Sequence, residues 1–386
     1  MGTATFNHQF NHDPYALPTT HLVHRALSTG ITAFDTSPYY GPAEELLGQA
    51  LQATNDTIHP RHTYTLLTKV GRIAGSAFDY TPEWIRYSIQ RSLSRLHTSY
   101  LDVVYCHDVE FVTPEEVVAA VRELRRIRDE SPNPDSPVIR YVGISGYPVD
   151  TLSELAERVL RETGEAVDVV LSYANFTVQN GRLAGGGGGS GGGSEGAEDG
   201  VQRMKNAGVD VVLNASPLGM GLVRSQGVPV GAMGDFHPAP VGLRDVVRDA
   251  ARWVQETGGE RLEVVAIRYA LEAWVRDGAR AGVALGGARL GGSVMGVSSV
   301  VELDETLRVW NSILDGVDGL EGVHRARLQD REWSAKRRQE ILDLVHGVRQ
   351  ILGPWVDYTW ESPAPGFVNS LPDSHLEERK MIELDS

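Results

Sequence analysis

Asp35, Tyr40, Lys69 and His107 are the side chains of this sequence whose types would together move a proton at a carbonyl or alcohol oxygen. A tyrosine hydroxyl can give or take that proton, but its unperturbed pKa of ~10 is far from neutral. A neighbouring ammonium stabilises the phenolate and lowers that pKa, which is the part Lys69 would play. Asp35 would hold the lysine in place and keep it charged. His107 would hydrogen-bond the reacting oxygen and select the productive pose. Such a set suits hydride transfer between an alcohol and a carbonyl, because that transfer needs a proton moved at oxygen. Singly, a strand-end Asp is most often a cap, a Lys exposed and a lone His structural. The inference rests on the four together.

The elements that would bring them together are short β-branched runs alternating with longer helical patterns. Strands are expected at Ala4–Phe6, Ala33–Thr36, Thr65–Thr68, Asp102–Cys106, Tyr141–Ile144, Asp168–Leu171, Val209–Leu213 and Ser293–Gly296. Apolar residues at three- and four-residue spacing predict helices at Pro82–Leu96, Pro114–Arg128 and Val149–Glu162. This alternation predicts an α/β fold, a (β/α)8 TIM barrel of parallel strands with helices outside. An open doubly wound sheet would need a Gly-rich fingerprint after its first strand, and none follows it. On a barrel, Asp35, Lys69 and His107 close three strands at the end where barrel catalysis occurs. Tyr40 follows in the loop DTSPYYG.

The chain is read as a single barrel domain over residues 1–386, with two interruptions. Gly185–Glu198, GGGGGSGGGSEGAE, cannot pack a core and is expected to be a flexible insertion. After it, residues 331–386 form a C-terminal helix, Arg331–Ile351, and a tail rich in proline and aromatics, GPWVDYTWESPAPGFV. Trp355 and Trp360 in that tail would touch a sugar at the barrel mouth or simply pack the tail.

Composition narrows the function classes. The chain has 386 residues and a formal net charge of −15, which disfavours nucleic acid and anionic membrane as partners. The one cysteine, Cys106, excludes an intramolecular disulfide and reads as a small core residue. No stretch reaches the ~20 apolar residues of a membrane helix, and MGTATFNHQFNHDPY lacks the pattern of a secretory signal. Cytoplasm is the expected location. His8 and His12 have no third ligand, so no metal is expected. Arg122–Arg128 reads as a solvated helix face.

Over nearly its full length the chain resembles the aldo-keto reductases. DTSPYYG is similar to that family's DTAxxYG, LLTKVG supplies Lys69, and LDVVYCHD supplies His107. VGIS resembles GISN, SPLGMGL resembles SPLxxGxL, and GVSSVVELDETL resembles the final cofactor loop. The resemblance implies a nicotinamide cofactor held by Thr5, Phe6, Ser145, Ser172, Ser216, Pro217, Leu218, Gly219, Gly221, Gly296, Val297, Ser298, Glu302 and Thr306. It implies substrate contacts from Tyr39, Asp108, Trp355 and Trp360. The sequence departs from the family pattern in places. The usual N-terminal hairpin does not precede the first strand. Gly146 stands where the family places Asn, so one nicotinamide contact is either lost or supplied by Ser172 or Asn175. Ala215 stands where many members carry an aromatic.

Within the family the chain is most similar to the aldose 1-dehydrogenases of D-arabinose and L-galactose, the fungal NAD-dependent D-arabinose type especially. That likeness implies oxidation of an aldose at C1 to its lactone, which in the fungal case feeds erythroascorbate synthesis. NAD is expected over NADP because no Lys or Arg lies between Leu290 and Leu307, while Glu302 would repel a 2′-phosphate and accept from a ribose diol. Ser299-x-x-Glu302 is equally a helix capping box. The expected partner is a small-molecule sugar, with the protein a monomer or weak homodimer. Two other readings stay open: an NADPH-linked aldehyde or ketone reductase, and a non-catalytic cofactor-binding subunit.

Overall fold

The computed structural model describes residues 1–54, 58–131, 137–185, 199–231, 233–285, 288–317, 330–375 and 378. Seven parallel strands form the central sheet: β1 (Ala33–Asp35), β2 (Thr65–Val70), β5 (Leu101–His107), β6 (Ile139–Gly146), β7 (Val169–Tyr173), β8 (Val211–Ala215) and β11 (Gly292–Val294), in the order β1-β2-β5-β6-β7-β8-β11. Two hairpins accompany them, β3 (Arg72–Ala74) with β4 (Ala77–Phe78), and β9 (Val283–Leu285) with β10 (Ala288–Leu290).

The two edges of this sheet meet at Gly2, which bridges in parallel to Asp35 on one side and Gly296 on the other. Its N–H donates to Met295 O at 2.8 Å, while Thr3 N–H donates to Asp35 O at 2.8 Å. A Cβ at position 2 would lie 3.1 Å from Val294 Cγ1, so glycine suits the seam. The expected first strand, Ala4–Phe6, is therefore corrected. Pairing is confined to Gly2, and the chain then turns, with Phe6 N–H donating to Thr3 O and the Phe6 ring buried in the core. The expected Val209–Leu213 shifts to Val211–Ala215, because Val209 still closes the preceding helix through Met204 O. Neither hairpin is foreseen in the sequence.

Helices surround the sheet: α1 (Thr19–Ser28), α2 (Ala43–Gln52), α3 (Pro82–Arg95), α4 (Pro114–Asp129), α5 (Val149–Thr163), α6 (Gly200–Asn206), α7 (Val241–Gly258), α8 (Leu262–Asp277), α9 (Val300–Leu314) and α10 (Arg331–Leu352). The four predicted helices appear with ends within one residue of expectation. Local chemistry explains the starts: Thr113 and Glu116 form a reciprocal capping box ahead of Pro114 in α4. Its Val117, Val121 and Leu124 then face the barrel, one buried stripe at helical spacing.

Strand alternation divides the core into two layers. Leu66, Val104, Cys106, Ile144, Val170 and Val212 point outward into the cluster shared with the helices. Leu67, Val103, Tyr105, Leu171 and Leu213 point inward and fill the barrel. Cys106 is thus a core residue, its thiol pushed up to about 12 by burial. Of the Gly-rich run, only Gly185 lies within the described residues.

The C-terminal segment returns across the barrel mouth. Gln179 Nε2 donates to Trp355 O and Tyr358 O at 2.7 and 3.0 Å, Trp360 stacks on Tyr147, and Asn369 pairs with both backbone groups of Phe78 at 2.8 Å. His375 ends this strap against Asp79, at 2.9 Å.

Candidate active site

The same alternation that fills the barrel carries polar groups to its rim. Asp35, Lys69, His107, Ser145 and Tyr173 continue the inward parity of β1, β2, β5, β6 and β7 at or next to their C-terminal ends. Register aligns them: His107 stands opposite Ser145, and Lys69 opposite Tyr105. Tyr40 arrives from the turn after β1, where its N–H donates to Ser37 O at 3.0 Å. Asp35, Tyr40, Lys69 and His107 therefore share one cluster.

Lys69 Nζ donates to Asp35 Oδ1 at 2.7 Å and to Thr36 O at 2.8 Å, and lies 4.9 Å from the Tyr40 ring centre. Burial alone would lower its pKa, but Asp35 and Tyr40 more than offset this, so it stays an ammonium. Burial raises the Tyr40 phenol, and the opposing pull of Lys69 does not fully cancel it. The net direction is upward, not the lowering expected from Lys69 alone. Tyr40 keeps its proton at neutral pH in this state. The His107 ring meets the Tyr40 ring edge-on at 5.8 Å, and Ser37 Oγ contacts its Nδ1 at 3.1 Å. Burial, then the charges of Lys69 and Arg72, hold His107 well below the usual imidazole range. It is neutral.

Arg72, unmarked by any motif in the sequence, also joins this site. From the hairpin after β2 it pairs with Asp108 through Nη1, donates to the Tyr39 hydroxyl at 3.2 Å through Nη2, and lies 3.9 Å from the Tyr39 ring centre. Gln9 Nε2 reaches the same hydroxyl at 3.3 Å. Asp108 takes a left-handed φ of 53° and brings its carboxylate 3.7 Å from His107 Nε2. Tyr39, Arg72 and Asp108 thus make a polar platform beside the tetrad. The only sequence hint of Arg72 is its place three residues after Lys69.

Of the residues expected to hold the cofactor, one group gathers at the barrel seam. Thr5 Oγ1 donates to Val297 O at 2.8 Å, and Asn11 Nδ2 bonds to Thr5 O and to Ser298 Oγ. A Cβ on Gly296 would come 2.8 Å from Thr5 Cγ2, so the glycine lets this loop pack closely on Thr5. Ser216, Gly219, Met220 and Gly221 take left-handed φ values of 55°, 57°, 55° and 96°, the kind of backbone that forms anion-binding concavities. Pro217 and Leu218 lie within this loop. These features fit a dinucleotide. Glu302 accepts from Ser298 N–H at 2.8 Å, its own N–H is capped by Ser299 at 3.2 Å, and Thr306 Oγ1 donates to its carbonyl at 2.8 Å. Ser145 is buried with its hydroxyl 3.3 Å from Cys106 O. Ser172 lies on the outward face of β7, where Asn175 Nδ2 bonds it at 3.0 Å. Neither Ser172 nor Asn175 joins the rim cluster. Phe6 belongs to the core.

Trp360 stacks on Tyr147 at 4.7 Å and 8°, and Tyr147 in turn meets Tyr173 at 5.5 Å. This aromatic wall leads to the polar platform. Trp355 instead packs on Gly242 of α7 and on Tyr358.

Comparison with known proteins agrees with the barrel and its tetrad: residues 1–317 match the Aldo/keto reductase family, and the chain belongs to it. It is 38% identical over 305 residues to D-arabinose 1-dehydrogenase of Saccharomyces cerevisiae, covering 78% of this chain and 79% of that protein. It is 32% identical over 315 residues to L-galactose dehydrogenase of Arabidopsis thaliana, covering 78% and 87%. In structure it resembles an aldo-keto reductase of Bacillus halodurans in holo form, with a TM-score of 0.56 at 18% identity over 89% of this chain and 90% of that one. Among the described residues, no helix is long and apolar enough to cross a membrane.

The electrostatics give a pH dependence. With Tyr40 raised and His107 lowered, oxidation by the free enzyme should gain rate only in the alkaline range, following Tyr40 deprotonation. A profile of kcat/KM against pH checks this. A rising limb centred near the ordinary imidazole value of 6.5, lost in His107→Gln, would contradict it.

Proposed function

We propose that this protein is an NAD-linked aldose 1-dehydrogenase, oxidising a sugar of the D-arabinose or L-galactose type at C1 to its lactone. The observation that carries the reading is the tetrad beside the Tyr39–Arg72–Asp108 platform. One side offers proton transfer, and the other offers the charged donors and acceptors that a polyol needs. The names of the two curated relatives support the sugar class.

A cyclic aldose carries both a hydroxyl and a hydrogen on C1, so removing the two gives a lactone. Tyr40 takes the hydroxyl proton as general base, and Lys69 stabilises the phenolate that must precede this step. Asp35 keeps Lys69 charged and in place. Neutral His107 hydrogen-bonds the same oxygen and fixes the pose. Asp108 and Tyr39 receive the remaining hydroxyls, held by Arg72. Bound nicotinamide supplies the acceptor for the hydride. Thr5, Gly296, Val297 and Ser298 at the seam, with the Ser216–Gly221 loop, would hold the dinucleotide. The sugar is the partner, and the protein works in the cytoplasm as a monomer or weak homodimer.

NAD is favoured because residues Leu290–Leu307 of the last cofactor loop lack basic side chains, and two arginines that reach α9 from other elements are paired there. Arg25 bonds Asp304 at 2.8 Å, and Arg261 bonds Glu305 at 3.2 Å. Glu302 adds an acidic group, although its carboxylate also serves the cap described above.

Assayed by absorbance, the protein should form NADH from D-arabinose or L-galactose with little activity on NADP. Tyr40→Phe should lower kcat by about 10²-fold or more while NAD affinity changes little. No turnover of any aldose with either cofactor would reject the reading. Glu302→Lys should raise kcat/KM for NADP relative to NAD by about fivefold, since an added cation near a phosphate contributes on the order of 1 kcal/mol. An unchanged ratio would leave Glu302 with its capping role alone.

A further inference from the structure

Glu110 is a buried acid with no part in the chemistry above. It lies on the short turn Val109–Phe111 that follows β5, two residues after Asp108. Its Oε1 accepts two hydrogen bonds, from the Tyr147 N–H at 3.1 Å and from the Ser362 hydroxyl at 3.0 Å. Its Oε2 is buried without a hydrogen-bond partner and rests on Gly146, where any Cβ would collide with it. The departure of Gly146 from the family pattern thus has a local cause: the glycine leaves the space that the Glu110 carboxyl fills.

The two donors on Oε1 come from the two halves of the aromatic wall. Tyr147 is one ring of the stack, and Ser362 stands two residues after Trp360, the other ring. The carboxyl therefore joins the end of β5, the end of β6 and the middle of the C-terminal strap. Elsewhere the strap is tied by Gln179 at one side and by Asn369 at the other. Burial, reinforced by nearby Asp108, pushes Glu110 up to about 8, against the pull of its own and the Tyr147 N–H and of Ser362. At neutral pH it is mostly the uncharged acid, so an amide is its close mimic.

We propose that Glu110 is a positioning residue that clamps the Trp360–Tyr147 stack onto the barrel mouth and thereby sets the affinity of the site for its sugar. The clamp stands on the geometry alone, while its kinetic consequence rests on the aldose reading. Glutamine at 110 retains an oxygen for both donors, and alanine retains none. Alanine at 146 would push the carboxyl away without removing it.

The full chain carrying Glu110→Ala, Glu110→Gln or Gly146→Ala is compared with the unmodified protein by hydrogen–deuterium exchange across residues 358–368 and by aldose kinetics. In Glu110→Ala and Gly146→Ala, exchange in that segment should quicken and the aldose KM should rise, each about tenfold, as expected for losing one buried hydrogen-bonded tie. The kcat and the KM for NAD should stay within about twofold, and Glu110→Gln should match the unmodified protein. Unchanged exchange in Glu110→Ala overturns the clamp. Faster exchange with an unchanged aldose KM overturns its link to the sugar site, as does a loss confined to kcat. If the unmodified protein oxidises no aldose, the aldose reading fails and exchange alone decides the clamp. Should Glu110→Ala not fold, Ser362→Ala removes the tie from the strap side and is read the same way.

Discussion

The ion pair between Lys69 and Asp35 is the interaction on which the site depends. Both groups are almost fully buried, and at 2.7 Å each is the other's counter-charge. Removing one partner of such a pair leaves an uncompensated buried charge, at a cost of about 3–5 kcal/mol. Barrel geometry keeps both: they come from adjacent parallel strands in fixed register, with the Thr36 carbonyl taking a second ammonium proton. That charge then acts on its neighbours. It pulls Tyr40 down against burial and helps hold His107 neutral. One buried cation thus bears on the proton state of both groups that would touch the reacting oxygen.

Around this centre the rim divides by chemistry. The hairpin after β2 and the turn after β5 bring Arg72 and Asp108 together, and both are held against Tyr39 and His107. Beside them, Tyr173, Tyr147 and Trp360 form an aromatic succession that the C-terminal strap completes. The sugar proposed as substrate presents apolar C–H faces and a belt of hydroxyls, and such a mouth would meet both. The strap is bonded along its course to the β7 loop, to Glu110 and to the β3–β4 hairpin, so distant sequence shapes the site.

Much of this is legible in the sequence where local rules decide. Asp35, Lys69 and His107 end apolar runs, and a period of two fixes which face they take. The helices declare themselves by spacing and by caps such as Thr113 with Glu116. Arg72, Glu110 and Gly146 are not legible in this way. Their partners lie tens to hundreds of residues away, and nothing in an isolated run of sequence distinguishes Arg72 from a surface arginine. The seam at Gly2 is equally hidden, because a single bridging residue has no periodicity. Burial is the remaining gap: residue types suggest that Lys69 lowers Tyr40, but the opposing desolvation emerges only once the barrel encloses the phenol.

Lys69, fixed by Asp35, is what offsets the burial of the Tyr40 phenol. A ¹³Cζ-tyrosine NMR titration of the protein and of Lys69→Met, with Tyr40→Phe to assign the resonance, tests it directly. Tyr40 should ionise at a higher pH in Lys69→Met, by about one unit or more. An unchanged or lower titration point would contradict it.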